Sequence, residues 1–521
     1  MKKSFSIAIS YPPLETDKGI PFLAQNRQFQ WTNTGNVILP VIPAYGASAL
    51  HNLGYKVYWD DAIAEKISYQ KWLARIKKWR PSLVAIESKT PTIKRHWAII
   101  KDLKSAASKD NKWNLKVVLF GDHVTAMPEE SLKNSPVDYV ITGGDYDFMT
   151  MNLVEHLVNG TKLEPGFFFW SKEEPTSLRG AKRRGNLKTS AKSKRVIVNT
   201  GKFALKHHNL DTLPPINREL TNWKLYGNDN TNFKYHPGAY LMTGRDCWWG
   251  KCTFCSWISI FPGNNFRNFS VKHTVDEIEY MASLGIREIF DDAGTLPIGP
   301  WLRDFCNEMI KRGLHKKVVM GCNMRFGALN QEQYDLMGKA GFRFILYGLE
   351  SSNQKTLDMI VKNTKVEDSR KTLIMAKKAG LEPHLTIMIG YPWETRQDAL
   401  NTLEEARSLF RDGLADSMQA TIVVPYPGTP LFKQCQDNNW LKTEDWNEYD
   451  MRHPIMKSPL SDNEQLELVQ SLFHGILTPR FLIRKVLSIR SLDDIKHLFT
   501  YAIKYLKKLR DFPLVSKAAT N

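Results

Sequence analysis

The sequence lacks any apolar run long enough for a helix that crosses a membrane, and its 521 residues contain only six cysteines. None of the six precedes Cys247. The short apolar stretch near the N-terminus alternates and stops at Pro12-Pro13, which indicates a first strand rather than a signal peptide. Because no secretion signal is evident, a disulfide framework is not favoured. We therefore expect a cytoplasmic protein whose clustered cysteines bind metal.

Positive charge is concentrated in two short segments of the chain, whose formal net charge is +18. Residues 171–195 contain nine Lys and Arg against two Glu, and residues 480–521 contain ten against three Asp. We interpret both segments first as solvated linkers and tails. Contact with RNA or with an anionic membrane surface is the alternative, and of these two partners nucleic acid is not favoured.

The first 165 residues alternate short β-branched or aromatic segments with helical ones, which is typical of a doubly wound, Rossmann-like parallel sheet. In such sheets, ligands bind beyond the carboxyl ends of the strands. Small and polar residues occupy those ends here, at positions 10–13, 87–90, 121–123 and 142–145. They suit a crevice that receives a large polar cofactor.

A second alternating series spans residues 237–440 and contains six βα units, which predicts an α/β domain shaped as a partial (β/α)6 relative of the TIM barrel. Residues 166–236 are predicted to be a connecting linker, because part of this segment is non-periodic and rich in Lys, Ser and Gly. Residues 441–521 are predicted to form a helical C-terminal region. For its basic amphipathic stretch we favour packing on the barrel, and interfacial membrane contact or capping of the substrate is the alternative.

Three cysteines, Cys247, Cys252 and Cys255, lie close together after the first strand of the second series. Three neighbouring thiolates can hold three irons of a [4Fe–4S] cluster and leave the fourth iron open. A structural zinc site would need a fourth protein ligand. No second Cys/His pair stands at zinc-finger spacing, and His207 and His208 lie about forty residues upstream, so the pattern favours the cluster.

The segment that carries these cysteines resembles the radical S-adenosylmethionine (SAM) superfamily, and the resemblance extends over almost the whole chain. Cys247, Cys252 and Cys255 match the three cluster ligands of that family, and Phe254 matches the aromatic residue before the last cysteine. In the family, the open iron binds the methionine part of SAM, and one electron then releases a 5′-deoxyadenosyl radical. This sequence departs from the commonest spacing, since four residues rather than three separate its first two cysteines.

Further motifs match the SAM-binding positions of the family in the expected order. Glu350 in the segment YGLES corresponds to the residue that accepts hydrogen bonds from the ribose hydroxyls, and Gly390 in IGYPWET corresponds to the segment near adenine. Arg325 is expected to pair with the methionine carboxylate. The resemblance therefore implies a SAM site formed by Asp291, Asp292, Arg325, Glu350, Ser351 and Gly390.

The N-terminal half resembles the cobalamin-binding domain that precedes the barrel in one large branch of this family. The segment GDHVTAMPEE, followed by VDYV, matches the pattern of that branch. The D-x-H-x-x-G motif that supplies a lower axial imidazole in other cobalamin proteins is absent. We therefore expect cobalamin without a His ligand from that motif, and we favour packing of His123 on the cofactor over ligation. The resemblance implies a cobalamin rim formed by Tyr11, Thr90, Asp122, His123, Gly143 and Gly144.

The resemblance as a whole implies a cobalamin-dependent radical SAM enzyme whose cofactors are a [4Fe–4S] cluster, SAM and cobalamin. The expected reaction is methylation of an unactivated carbon, and no catalytic side chain is identified. The alternative is a non-methylating reaction of the same architecture, cyclisation or oxidation. RNA modification is less favoured, because such enzymes carry additional N-terminal cysteines. The expected partners are a small-molecule, lipid or peptide substrate and an electron donor such as flavodoxin or ferredoxin.

Overall fold

The computed structural model describes residues 5–14, 16–21, 23, 29, 31–32, 36–172, 195–204, 208–228, 230–263 and 265–508. Two sheets lie at its centre, one mainly and one wholly parallel, and a group of helices follows them in the chain. Most of the basic segment 171–195, together with His207 and the end of the basic tail, lies outside the described residues.

The N-terminal part of the chain folds around one sheet of seven strands. Its elements are β1 (Ser6–Tyr11), β2 (Ile20–Pro21), β3 (Trp31–Thr32), α1 (Val41–Asn52), β4 (Lys56–Asp61), α2 (Tyr69–Trp79), β5 (Leu83–Glu87), α3 (Ile93–Ser108), β6 (Lys116–Phe120), α4 (Asp122–Ala126), α5 (Pro128–Asn134), β7 (Tyr139–Ile141), α6 (Tyr146–Asn159), β8 (Phe167–Lys172) and β9 (Arg195–Asn199). The strand order is β4-β1-β5-β6-β7-β8-β9. Since the parallel strand β1 is flanked by β4 and β5, the switch point of this doubly wound sheet lies between β1 and β5. The predicted fold class is confirmed.

Two strands extend the first sheet beyond the predicted domain boundary at residue 165. β8 pairs with β7 in antiparallel orientation, and β9 pairs with β8 in the same way. Phe167 is fully buried at this edge, and the aromatic and β-branched residues of both strands suit a half-buried sheet surface. The segment 166–236, predicted to be a linker, therefore contributes two strands to the first sheet.

The second part of the chain folds around six parallel strands. Its elements are α7 (Lys224–Gly227), β10 (Gly238–Leu241), β11 (Gly244–Arg245), α8 (Trp257–Ile260), β12 (Arg267–Asn268), α9 (Val271–Ser283), β13 (Glu288–Asp291), α10 (Pro300–Lys311), β14 (Val319–Met324), α11 (Gln331–Lys339), β15 (Phe342–Glu350), α12 (Gln354–Met359), α13 (Val366–Lys378), β16 (Glu382–Ile389), α14 (Arg396–Arg411), β17 (Ser417–Ile422) and α15 (Pro430–Asp437). The strand order β10-β13-β14-β15-β16-β17 follows the chain, as in a partial barrel.

Capping residues fix the loops at the carboxyl ends of these strands. α14 begins after Thr395, whose side chain accepts a hydrogen bond from the backbone N–H of Asp398. The carboxylate of Asp398 in turn accepts one from the backbone N–H of Thr395, at 2.9 Å. This reciprocal pair satisfies N–H groups that the first helical turn leaves without partners. It also fixes where the loop after β16 ends, and that loop lies in the predicted SAM site.

The chain ends in three helices, α16 (Asp462–Gly475), α17 (Pro479–Leu487) and α18 (Leu492–Lys508). α16 packs against α14 and β17, and α17 packs against α14. Within the part of the chain that the structure describes, no helix is both long and apolar enough to span a membrane.

The two sheets share one apolar core. Trp257 and Phe261, which follow the cysteine segment, belong to the same buried cluster as Ile7 and Val118 of the first sheet. α4 follows a strand of the first sheet, α8 follows the first strands of the second part, and these two helices are in contact. The elements beyond the carboxyl ends of both sheets therefore meet, as a site shared by two cofactors would require.

Candidate functional site

The three clustered cysteines lie on the loop between β11 and α8. The backbone N–H of Cys255 donates to the carbonyl of Cys252 at 3.1 Å, and the Thr295 hydroxyl lies 3.5 Å from Cys247 Sγ. All three are partly exposed, whereas Cys306, Cys322 and Cys435 are buried. The two groups of cysteines therefore differ in their access to solvent. A partly exposed thiol can reach a metal, and a buried one in an apolar core cannot.

Positive charge surrounds the cysteine loop. Arg325 Nη1 lies 4.0 Å from Cys252 Sγ, and the guanidinium stands 4.7 Å from the ring centroid of Trp249. Burial raises the pKa of the Cys252 thiol, and the positive charges of Lys362 and Arg325 oppose that rise. These cations would compensate the negative charge of thiolates that bind iron.

The donor set fits a [4Fe–4S] cluster better than a single metal ion. Among the described residues, no three His, Cys, Asp or Glu side chains converge as a mononuclear site would require. In a cubane each thiolate binds a different iron, so three thiols along one loop match its geometry. The buried indole N–H of Trp248, on the same loop, has no hydrogen-bond partner among the described residues and could donate to a sulfur.

Glu350 ends β15 at a register shift and has a positive φ of 60°. Its Oε1 accepts a hydrogen bond from Lys362 Nζ at 2.6 Å, and the two side chains are only 7% and 8% exposed. Arg325 donates to the backbone carbonyl of Lys362. The structure thus brings Arg325 and Glu350, both predicted to bind SAM, to one place beside the cysteine loop.

The loop after β16 lies against the same region. The hydroxyl of Ser351 donates to Glu394 Oε1 at 2.6 Å, and burial raises the pKa of Glu394 to about 7. Gly390 has a φ of +100°, and a side chain there would collide with Gln465. The hydroxyl of Tyr391 is buried without a hydrogen-bond partner among the described residues. The unpaired hydroxyl of Tyr391 could bond a ligand, whereas packing against Gln465 accounts for the glycine at position 390.

Asp291 has different surroundings from those expected of a ligand of SAM. Asp291 is fully buried and accepts hydrogen bonds from the backbone N–H and the hydroxyl of Thr243, at 2.8 and 2.7 Å. Burial raises its pKa to about 6. The backbone N–H of Asp292 donates to the carbonyl of Leu241. In this structure Asp291 therefore fixes the turn before the cysteine loop, and its part in binding SAM stays a prediction.

The predicted cobalamin rim begins at the switch point of the first sheet. The Tyr11 hydroxyl, at the end of β1, donates to Glu87 Oε2 at 2.6 Å at the end of β5. Burial raises the pKa of Glu87 to about 7. Lys89 Nζ lies 3.1 Å from Asp122 Oδ2, and both side chains are almost fully buried. Four titratable groups thus line the edge where a ligand of such a sheet binds.

Both ring nitrogens of His123 already have partners. Nδ1 lies 3.2 Å from the hydroxyl of Thr90, and Nε2 lies 2.9 Å from Glu130 Oε2. The ring is fully buried and meets the edge of Trp446. Ligation of the cobalt would require one of these hydrogen bonds to break, and packing of His123 on the cofactor stays a prediction.

Gly143 and Gly144 receive aromatic side chains of the protein itself. A Cβ at Gly143 would lie 2.2 Å from the Phe203 ring, and one at Gly144 would lie 2.3 Å from the Phe261 ring. Internal packing therefore accounts for both glycines. Their predicted contact with cobalamin has no support from this geometry.

Two buried polar atoms remain available at the meeting of the sheets. Glu87 Oε1 and Ser259 Oγ have no hydrogen-bond partner among the described residues. Buried polar groups are rarely left unpaired unless a ligand or water completes them. A carboxylate oxygen and a hydroxyl suit the peripheral amides of a corrin ring, so this edge fits cobalamin in its donor chemistry.

Ion pairs that sequence reasoning missed join the cysteine loop to the first sheet. Arg245 comes two residues before Cys247, and its Nη2 lies 2.7 Å from Asp147 Oδ2 in α6, with both side chains fully buried. Asp145 accepts from Arg267 at 2.9 Å and bonds His208 at 2.7 Å. No local pattern predicts such pairs, because their partners lie about a hundred residues apart.

Lys362 was missed as well. Its signal in the sequence is weak, a lone lysine in the segment IVKNT. Val361 and Asn363, on either side, have positive φ values of 53° and 52°, which shape the turn that carries Lys362 to Glu350.

Comparison with known proteins agrees with this geometry. Residues 241–406 match the model of the Radical SAM superfamily. The chain is 27% identical over 431 residues to an uncharacterized methyltransferase of Pyrococcus horikoshii, covering 82% of this chain and 85% of that protein. It is also 27% identical over 464 residues to the anaerobic magnesium-protoporphyrin IX monomethyl ester cyclase of Cereibacter sphaeroides, covering 86% and 68%.

A solved structure shares the fold over nearly the full chain. The radical SAM methyltransferase TsrM from Kitasatospora setae, whose structure contains cobalamin and a [4Fe–4S] cluster, superposes with a TM-score of 0.65. The match covers 97% of this chain and 99% of TsrM, at 14% identity. Residues 241–406 therefore match a Radical SAM domain, and the chain as a whole shares the fold of TsrM.

Proposed function

We propose that this protein is a cobalamin-dependent radical SAM enzyme that methylates an unactivated carbon of its substrate. The observation that carries the proposal is the group of three partly exposed cysteines beside Arg325 and Glu350, at the place where the elements beyond both sheets meet. When bound, the cluster and SAM supply a carbon radical at the substrate, and cobalamin supplies the methyl group.

The side chains of the chain position these cofactors. Cys247, Cys252 and Cys255 would hold the cluster, with Arg325 placed to pair with the methionine carboxylate of SAM. Glu350 would accept hydrogen bonds from the ribose, a role for which its buried carboxylate is suited because a charged acceptor forms strong hydrogen bonds.

The edge of the first sheet would bind cobalamin through Tyr11, Glu87, Thr90 and Asp122. In this proposal no histidine of the rim binds the cobalt, because hydrogen bonds to Thr90 and Glu130 hold the ring of His123. Cobalamin bound at this edge would supply the methyl group, and these side chains would hold and orient it without coordinating the cobalt.

The cluster assignment is tested by iron content. We expect Cys247→Ala, Cys252→Ala and Cys255→Ala each to abolish the visible charge-transfer absorbance of the anaerobically reconstituted, full-length protein. Cys306→Ala, Cys322→Ala and Cys435→Ala are the controls, since these three thiols are buried in the protein, unlike those of the loop. Loss of iron in any control, or its retention in any loop variant, would overturn the assignment.

A second candidate reaction is cyclisation, and the similarity to the anaerobic cyclase over 464 residues favours it specifically. An assay with SAM that carries a deuterated methyl group distinguishes methylation from cyclisation. Methylation predicts that the label is recovered on cobalamin in the reduced protein. Cyclisation predicts that magnesium-protoporphyrin IX monomethyl ester is consumed, with 5′-deoxyadenosine formed and no label on cobalamin.

The partners of the reaction are part of the same proposal. A small molecule, a lipid or a peptide would serve as substrate. An electron donor such as flavodoxin or ferredoxin would reduce the cluster, because cleavage of SAM consumes one electron. The test is SAM cleavage by the reconstituted protein with and without reduced flavodoxin, and cleavage without any donor would exclude this need.

A further inference from the structure

Two C-terminal helices turn their apolar side chains away from the barrel. Of the fourteen exposed large apolar side chains among the described residues, nine lie between residues 477 and 503. Leu487 and Leu492 are each 76% exposed, and Phe499 is 68% exposed. Single exposed apolar residues are ordinary, but this concentration on adjacent helices is typical of an interaction surface.

The polar side chains of α17 attach it to the barrel. Lys485 Nζ lies 2.9 Å from Asp416 Oδ1, and Arg484 Nη1 donates to the backbone carbonyl of Arg411 at 3.0 Å. Phe481 is buried beneath the helix. Two of the three cations of α17 are therefore used for attachment, and its apolar residues at positions 482, 483, 486 and 487 are left on the exposed side.

α18 is attached in the same way. Asp494 Oδ1 lies 2.6 Å from Lys234 Nζ, and Asp493 Oδ2 lies 2.8 Å from Arg287 Nη2. The exposed apolar residues of α18 are spaced three or four apart, so they form one stripe along the helix. Together, the exposed apolar side chains of both helices are Leu482, Ile483, Val486, Leu487, Leu492, Ile495, Phe499 and Ile503, which we call the lipid face.

Cations accompany the lipid face. Arg490, between the two helices, and Lys496, on α18, are both exposed. Residues 480–521 carry ten Lys and Arg against three Asp. Protein interfaces are depleted of lysine at their centres, whereas helices with an apolar face and flanking cations are typical of anionic membrane surfaces.

We propose that α17 and α18 dock this protein on an anionic lipid bilayer. The lipid face would enter the boundary between headgroups and acyl chains, with Arg490 and Lys496 among the anionic headgroups. The helices would lie on the membrane without spanning it. This inference is independent of the proposed reaction, because it rests on a surface that includes none of the cofactor-site residues.

Vesicle binding tests the docking. The full-length, reconstituted protein should co-sediment with vesicles of phosphatidylcholine and phosphatidylglycerol, more weakly with phosphatidylcholine alone, and less at high salt. Leu487→Ser combined with Phe499→Ser should weaken binding on the order of tenfold or more, because two large apolar side chains no longer leave water. The matched control is Leu53→Ser with Ile374→Ser, which are exposed elsewhere at 45% and 39%.

The charge component has its own variants. Arg490→Gln and Lys496→Gln should each weaken binding to the anionic vesicles about fivefold. Iron content and SAM affinity should stay unchanged in all these variants, so failure here is distinguishable from failure of the proposed function.

Three outcomes would overturn the proposal. The first is no vesicle binding by the unaltered, iron-loaded protein, or equal loss in the matched control. The second is a dimer, formed without vesicles and broken by Leu487→Ser, which would assign the face to a second copy of this chain. The third is vesicle binding that appears only after removal of residues 509–521, which would assign the face to the chain's own tail.

Discussion

Replacement of Glu350 by Gln tests the proposed SAM site most directly. The carboxylate is almost fully buried and accepts a hydrogen bond from Lys362 at 2.6 Å. Gln keeps the shape of the side chain but removes its charge, so the ribose hydroxyls lose a charged acceptor. Such a hydrogen bond contributes about 1.5–3 kcal/mol, and we therefore expect the Kd for SAM to rise about 10- to 150-fold.

The measurement is calorimetric titration of SAM into the anaerobic, iron-loaded, full-length protein. The matched control is Glu382→Gln, at the opposite end of the neighbouring strand β16, where Arg343 and Lys234 bind the carboxylate. Burial alone would raise the pKa of Glu382, but Arg343 and Lys234 lower it to about 2. Loss of that charge should destabilise the fold and leave SAM affinity unchanged. An unchanged Kd in Glu350→Gln, or an equal rise in Glu382→Gln, would refute the ribose assignment.

Variants of Lys362 distinguish effects on SAM binding from effects on the stability of the fold. Lys362→Met leaves the Glu350 carboxylate buried without its cation, and removal of one partner of a buried ion pair costs about 3–5 kcal/mol of stability. The double variant Glu350→Gln/Lys362→Met removes both charges, so it should recover part of that stability while SAM binding stays weak. If the double variant also regained SAM affinity, the single-variant effect would come from the unpaired charge and not from the ribose.

Three further predictions concern the first sheet. Nitrogen-15 labelling of the histidines should leave the cob(II)alamin paramagnetic spectrum of the full-length protein without nitrogen broadening, because both ring nitrogens of His123 have partners; nitrogen coupling would make it the leading ligand. Burial alone would lower the pKa of His208, but bonds to Asp145 and a second carboxylate raise it to about 9. The contribution of His208 to the free energy of unfolding is thus full below about pH 6.5 and is lost as the pH rises through 9. If the denaturant midpoint fell over this range as much in His208→Gln as in the unaltered protein, this assignment would be contradicted. Asp147→Asn should cost about 3 kcal/mol in chemical denaturation, because Arg245 stays buried without its main partner, and a loss below about 0.5 kcal/mol would count against that pair.

Much of the fold could be predicted because the parallel strands have a local sequence pattern. The strands are short apolar runs, and their carboxyl ends carry the polar residues that meet in the site, as at Tyr11 and Glu87. The cysteine spacing identified the loop that lies beside Arg325. β8 and β9 were not predicted, because they extend the sheet in antiparallel orientation and the alternation of strands and helices gives no signal for such strands.

The roles of single residues were harder to predict, because they depend on partners far away in the chain. Gly143 and Gly144 have the small size of a cofactor rim, yet Phe203 and Phe261 occupy the space beside them. Asp291 has the position of a ligand but is held by Thr243. A strand end predicts that a residue lies at the edge of the sheet, and only tertiary packing decides whether its side chain faces a ligand or the protein.

In the C-terminal helices, too, tertiary packing decides the role of the charged residues. The sequence of α17 has an apolar face and basic residues, from which we favoured packing on the barrel, with contact with a membrane surface as an alternative. The structure uses Arg484 and Lys485 to attach the helix and leaves Leu487 exposed. A helix that packs by its apolar face alone would have its cations in water, whereas α17 is attached by two cations and by Phe481 and has its four other large apolar side chains exposed. Exposure of these apolar side chains to water is unfavourable unless something covers them. An anionic lipid surface would cover the apolar side chains and would also pair with the neighbouring cations, Arg490 and Lys496.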